Sequence, residues 1–275
     1  MSPQTTKAFV LKISPFRETS CILCLLTSEH GLVHAVAKGV KRKRACVPSL
    51  ERGFLVEAVL YSRPHRELHT LGAITVLDYY SSTRTDLFKS TVRDIIFEVL
   101  LKTMSCDSPH PEVFSFCADL FGRMQAAVAG SCFPAMVWEF FYHFSRLMGV
   151  APALDTCSSC GKVLSGTDGA FLLMESGGMI CDGCARAAGG AHSGLFLPSM
   201  VLSSLRSTPA ANDAVRDISV SEARRITHLL ARYCRYHFHC TSDFKSLAFL
   251  DSILPDAAAD AGATEGAYEH ETVNY

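Results

Sequence analysis

Four of the twelve cysteines in this 275-residue chain have the type and spacing that hold a metal ion. Cys157 and Cys160 enclose two residues, Gly161 follows, and twenty residues later Cys181 and Cys184 repeat the gap. Two Cys-x-x-Cys pairs at this separation have the spacing of a four-thiolate zinc site. The two-residue gap lets both sulfurs of one knuckle reach one ion while nearby amides hydrogen-bond the thiolates, and Gly161 and Gly183 suit tight turns. Between the pairs, Phe171 to Met174, Gly177-Gly178 and Met179-Ile180 read as a small hairpin, as in zinc ribbons. Four protein ligands leave no open position, so the expected cofactor is one structural Zn2+. Two redox dithiols or four unrelated core thiols are the other readings of the spacing.

Spacing alone does not make a site. Cys21 and Cys24 also enclose two residues, but in a strand pattern, where residues three apart face opposite sides, and with no glycine or second pair. They read as core filling. His237, His239 and Cys240 read as the polar end of a helix. The chain has no phosphate-binding Gly-rich loop, no HExxH, no GxSxG and no paired carboxylates in its apolar segments, so a non-enzyme is expected.

The second chemical feature is charge. Lys38, Lys41, Arg42, Lys43 and Arg44 place five cations in seven residues, and no carboxylate lies between Glu29 and Glu51. Such a run repels itself and gains most by meeting a polyanion. Arg17, Arg52, Arg63 and Arg66 sit in or beside neighbouring turns and extend the patch. Backbone contact with DNA is the expectation for Lys38, Lys41 to Arg44, Arg17, Arg63 and Arg66; a solvated or localisation-like loop is the alternative. Near 220–239, Arg225, His228, Arg232, Arg235 and His239 recur at helical intervals opposite Ile226, Leu229, Leu230, Tyr233 and His237. Arg225, Arg232 and Arg235 are the candidate contacts for an acidic partner, with a solvated helix face as the alternative.

The elements that carry these residues follow from periodicity. Ala8–Ile13, Thr19–Thr27, Gly31–Lys38, Phe54–Tyr61 and Glu67–Asp78 are strand patterns divided by turn residues. Five short strands with little room for crossover helices predict an antiparallel barrel of OB type, with an SH3-like barrel as the competitor. From Asp86 the period becomes helical, with further helices predicted at Glu112–Ala129, from Pro134 to Gly149, and near 196–206, 220–239 and 244–254. The expected class is α+β: an OB-fold domain over 1–80, a helical domain over 81–255 with the four-cysteine zinc module inserted at 155–186, and a disordered acidic tail over 256–275. Net charge supports the division, at +5 over residues 1–80 and −5 over 256–275.

A composition of 48% hydrophobic and 19% charged residues excludes a mainly disordered chain. The longest apolar runs, such as Ile22–Leu26, are far short of the roughly twenty residues that span a bilayer. The first fifteen residues lack a secretory signal pattern, so a cytoplasmic location with reduced thiols is expected.

Several segments resemble one family in order. Lys7-Ala-Phe-Val-Leu-Lys12, Phe16-Arg-Glu-Thr19, Leu26-Thr27 with Gly31-Leu-Val33, Ala37-Lys-Gly39 and Glu67-Leu-His-Thr-Leu71 are similar to the N-terminal barrel of the RecO family of bacterial DNA repair proteins. Leu147-Met-Gly149 with Pro152 and Leu154, the knuckle at Cys157–Gly161, Gly178-Met-Ile-Cys181, and Phe244-Lys-Ser246 with Phe249-Leu250 continue the resemblance, which covers about 1–254. It implies a recombination mediator that binds single- and double-stranded DNA and anneals complementary strands. It also implies work with RecR to load RecA onto strands covered by single-stranded-DNA-binding protein, often by gripping that protein's acidic C-terminal tail. The expected setting is the cytoplasm, at the nucleoid, with no membrane partner. An RNA-binding or translation-associated barrel-and-ribbon protein, or a scaffold for acidic proteins, is the competing reading of the residues.

Overall fold

A computed structural model describes residues 3–38, 50–61, 68–128, 133–164, 169–188, 194–206 and 218–254. Its first part is a closed barrel of β1 (Pro3–Phe16), β2 (Ser20–Thr27), β3 (Gly31–Ala37), β4 (Leu55–Tyr61) and β5 (Leu68–Asp78), in the order β1-β2-β3-β5-β4. Strand β5 lies between β3 and β4, parallel to β3 through His34–Leu68 to Val36–Thr70 and antiparallel to β4. That Greek-key closure is the OB type and excludes the SH3-like competitor. Strand β1 begins five residues before the predicted Ala8, because its first half pairs with β4 from Pro3–Tyr61 to Phe9–Leu55. Gln4, Thr5 and Thr6 give no apolar alternation, so pairing extends the strand where pattern does not.

The barrel has two apolar sides. Val10, Leu23, Leu25, Val33, Val56 and Leu60 fill its interior. Phe9, Leu11, Cys24, Leu26 and Leu32 point outward into a core shared with the helices. Ordinary alternation sets Phe9 and Leu11 opposite in direction to Val10, and the bulge between Val10 and Lys12 then shifts the phase so that Ile13 and not Lys12 faces the interior. Phe9 meets Phe114, Phe121 and Tyr80 at ring-centroid distances of 5.4, 5.1 and 5.8 Å, so one aromatic side chain joins barrel to helices.

The helical part contains α1 (Ser82–Thr85), α2 (Leu87–Thr103), α3 (Pro111–Ala126) and α4 (Ala135–Leu147). Asp86 caps α2 by accepting from the Lys89 amide, and Pro111 starts α3, where a missing N–H costs nothing. Lys89, 4% exposed, places its ammonium on the Ala127 carbonyl at the end of α3. Trp138, Phe140, Phe141 and Phe144 make α4 the buried centre, and the Trp138 indole N–H donates to Thr227 Oγ1 at 2.9 Å.

After α4 the chain forms a three-stranded sheet from β6 (Ala170–Leu172), β7 (Met179–Cys181) and β8 (Leu195–Leu197), in the order β7-β6-β8. Helix α5 (Asp182–Ala187) follows β7. Then come α6 (Ser199–Arg206), α7 (Val220–His237) and α8 (Lys245–Ile253). The helix predicted over 196–206 therefore begins as a strand. Pro198 favours extended backbone at Leu197, and Phe196 pairs with Phe171 across the sheet, their rings 5.3 Å apart. Among the described residues, no helix is long and apolar enough to cross a membrane.

Candidate metal centre and nucleic-acid face

The four cysteines predicted as ligands converge. One sulfur from each of Cys157, Cys160, Cys181 and Cys184 lies within 4.8 Å of the others. The first knuckle is a turn in which the Gly161 amide donates to the Cys157 carbonyl at 2.9 Å and the Cys157 amide donates to the Lys162 carbonyl at 2.8 Å. Gly161 takes φ of 71°, the left-handed region that glycine enters most easily. The second pair ends β7 and enters the first turn of α5. Gly183, expected in a tight turn, instead has helical backbone with open space where a Cβ would stand, so this knuckle does not require glycine.

The donor set fits a metal. A tetrahedral zinc with Zn–S bonds of about 2.3 Å separates its sulfurs by about 3.8 Å, and Cys160 Sγ lies 3.8 Å from Cys181 Sγ. The Cys181 amide donates to Cys157 Sγ at 3.4 Å. Burial opposes ionisation of the Cys157 thiol, but the amides of Cys181, Cys160 and Ser159 outweigh it and bring the thiol down to about 6. Cys157 and Cys181 are buried, Cys184 half-buried and Cys160 exposed, so the cluster caps the ribbon at the surface. The ribbon is seated on the helices. Leu154, Leu164, Leu172 and Met179 belong to the shared core, and the Arg206 guanidinium donates to the carbonyls of Leu154 and Leu164. The thiols lie close enough to hold one metal ion.

The predicted DNA contacts are placed only in part. Lys41, Arg42, Lys43, Arg44, Arg63 and Arg66 lie outside the described residues, as does the acidic 256–275 segment. Lys38 and Arg17 are exposed at one end of the barrel. Cross-strand register brings them together: Phe16 faces Ser20, and Cys21 faces Ala37, so the β1–β2 turn and the end of β3 share an edge. Arg52, in the approach to β4, pairs with Asp94 at 3.4 Å and donates to the Leu11 carbonyl.

A further gathering of charge has no mark in the sequence. Between barrel and helices lies a cleft of about 710 Å³ lined by Lys12, Arg52, Lys102, Lys245, Asp94 and Glu98 over Leu11, Ile13 and Leu101. Both carboxylates are already engaged, Asp94 by Arg52 and Arg93 and Glu98 by Lys102 and the Ser246 amide. The cleft therefore presents surplus cation. Topology alone assembles residues so far apart in the chain.

Two of the three arginines expected to meet an acidic partner have partners of their own within the fold. Arg225 forms a two-pronged pair with Glu222 and also donates to the Phe196 carbonyl. Arg235 pairs with Asp243, and on the same face His228 pairs with Asp251 at 2.9 Å. Arg232 is exposed.

Fold and clusters together define a class: an OB-type barrel packed on a helical body that carries a four-thiol ribbon. The family description "Recombination protein O N terminal" matches residues 1–80, and "Recombination protein O C terminal" matches residues 84–247. The chain belongs to the RecO family of DNA repair proteins. It is 25% identical over 268 residues to the DNA repair protein RecO of Prosthecochloris aestuarii, covering 91% of this chain and 98% of that one. The RecO protein of Pelotomaculum thermopropionicum is 27% identical, over 94% of this chain and 97% of its own. That of Synechococcus sp. (strain JA-3-3Ab) is 29% identical over 72% of this chain and 68% of its own.

Proposed function

We propose that this chain is a recombination mediator without a catalytic centre. It binds single- and double-stranded DNA through the barrel, anneals complementary strands and, with RecR, helps load RecA onto DNA coated by single-stranded-DNA-binding protein. Its setting is the cytoplasm, at the nucleoid. The observation that carries the reading is the meeting of Arg17 and Lys38 at one barrel edge, from which the Lys41–Arg44 run continues. Annealing joins two polyanions. Cations that neutralise phosphates lower the repulsion while leaving base edges free to pair. Lys38, Lys41, Arg42, Lys43, Arg44, Arg17, Arg63 and Arg66 are assigned to backbone contact, with little sequence preference. Arg232 is left as the most accessible contact for an acidic tail, with Arg225 and Arg235 available only by exchanging Glu222 and Asp243.

In this reading the metal is zinc, one ion, held by Cys157, Cys160, Cys181 and Cys184. It joins the two knuckles of the ribbon and supplies no chemical step.

The test is annealing of two complementary oligonucleotides coated with the cognate single-stranded-DNA-binding protein. Acceleration that weakens with salt supports the reading. A Lys41→Ala, Arg42→Ala, Lys43→Ala triple variant should then bind roughly tenfold or more weakly and show a shallower salt dependence. No acceleration by folded, metal-loaded protein, or equal affinity for RNA without annealing, would transfer the assignment to an RNA-binding role.

A further inference from the structure

The outer surface of the barrel carries an apolar strip that neither core uses. Ile13, Cys21, Leu23, Ala35 and Ala37 point into the barrel. Strand alternation therefore turns their neighbours outward. Register places Ser14, Ile22 and Val36 in one outward row and Phe16 and Ser20 in the next, which Lys38 completes one residue beyond Ala37. Phe16, Ile22 and Val36 are half-buried, yet they belong neither to the barrel interior nor to the core shared with the helices. Farther along the same face, Cys24 is covered by that shared core. The strip is the part the helices leave open.

Its edge is charged. Arg17 holds φ of 54°, a left-handed conformation that is uncommon and unfavourable for a non-glycine residue. It sets its guanidinium over the Phe16 ring, 5.3 Å from the centroid. Among the described residues no carboxylate pairs with Arg17 or Lys38, and Glu18 is the one acid on the turn. A flat ring, a guanidinium plane and two apolar neighbours, bordered by cations, match unpaired bases on a phosphate backbone. Duplex DNA keeps its bases stacked and offers this surface only phosphates. The face formed by β2 and β3 is also where OB barrels take oligonucleotides.

We propose that Phe16 and Arg17 form a stacking platform for one unpaired base, with Arg17 and Lys38 holding the flanking phosphates. The proposal rests on the reading that this barrel binds DNA. It adds a contact that only a single strand can make, and hence a means of holding a strand before annealing and releasing it once paired.

The experiment uses the full chain and three probes of equal length: a pyrimidine single strand, the same backbone without bases, and a duplex. Wild type should bind the base-bearing strand more tightly than the abasic one. Phe16→Leu keeps apolar bulk but removes the ring. It should weaken the base-bearing strand between about fivefold and a hundredfold, the span of one base–aromatic stack, and leave the duplex within about twofold with an unchanged salt slope. Equal single-strand affinity of variant and wild type, or equal loss on strand and duplex, would overturn the platform. Wild type that binds duplex and abasic strand while Phe16→Leu changes nothing sinks the platform alone; wild type that binds none of the probes sinks the DNA reading with it. Should the variant misfold, 2-aminopurine in the strand provides the second measurement on wild type: quenching on binding supports stacking, and unchanged emission refutes it.

Discussion

Cys21 and Cys24 stand three residues apart on β2, as Cys157 and Cys160 do in the ribbon. On the strand, the two sulfurs leave from opposite faces. Cys21 joins the barrel interior, Cys24 joins the core shared with the helices, and burial, with Cys106 nearby, pushes the Cys24 thiol up to about 12. In the ribbon, Ser158 and Ser159 lie in a turn that the Gly161 amide closes on the Cys157 carbonyl, both sulfurs meet those of a second pair, and amides aimed at Cys157 hold its thiol near 6. A two-residue gap becomes a ligand pair only where the backbone between the thiols turns. On a strand it is two separate core positions, each stabilised by packing.

The contrast breaks most visibly at the metal. Changing Cys157→Ser and Cys181→Ser together removes one ligand from each knuckle. The ribbon sheet has three strands of three residues each, so beyond its seat on the helices little in the segment holds its two knuckles together. Bound metal, measured by atomic emission on purified protein, should fall to background, and the melting temperature should drop by roughly ten degrees or more. Full metal content in the double variant would refute the site. A strong chelator on wild type should reproduce the thermal shift.

On the strand side the expected effect is smaller and of another kind. Cys24→Ser puts a hydroxyl between β2 and the helices, where the thiol is 3% exposed. It should cost about 1–2 kcal/mol in urea unfolding and leave metal content at the wild-type level. Loss of metal from this variant would break the comparison, because it would make the first pair a ligand after all.

Periodicity exposed the barrel strands and the helices because each buries a stripe of Val, Leu, Ile or Phe at its own period. It misassigned Phe196 and Leu197, in a three-residue strand that carries too little pattern to be told from the start of a helix before Pro198 ends it. The four thiols were legible because their ligand spacing is local within each pair. The cleft of Lys12, Arg52, Lys102 and Lys245 was not, since no local pattern links residues that only the packed fold assembles. Phe16 lay between these cases: visible as the end of a strand, its outward direction followed only from the register with Ser20 and from the bulge upstream. Glu98 was hidden for the same reason as the cleft, because its partners are 147 and 148 residues away in sequence.

Glu98 shows a third way of tying a distant segment down, by neither metal nor packing. From α2 its carboxylate accepts the Lys245 amide at 2.9 Å, the Ser246 amide at 2.8 Å and the Ser246 hydroxyl at 2.6 Å, and Lys102 stands 2.9 Å away. It thus caps the first turn of α8 from another helix. Burial opposes its ionisation, but the Ser246 contacts, followed by Lys102 and Lys245, overcome this and bring it down to about 2. The folded chain therefore holds the proton more weakly than the unfolded chain, whose carboxyl has the ordinary value of 4.5. The stabilisation is fully present above about pH 4.5 and is lost as pH falls toward about 2. Glu98→Gln should cost about 1 kcal/mol near neutrality, the scale of a lost cap. The penalty should shrink as pH falls through that window and vanish near its foot. Thiolates binding a metal protonate in acid as well, so the decisive quantity is the difference in unfolding free energy between wild type and Glu98→Gln at each pH, in which the metal contribution cancels. A difference that stays constant from pH 7 to pH 3 would mean that the carboxylate's charge does not hold α8, and that packing of Leu247 and Leu250 alone secures it.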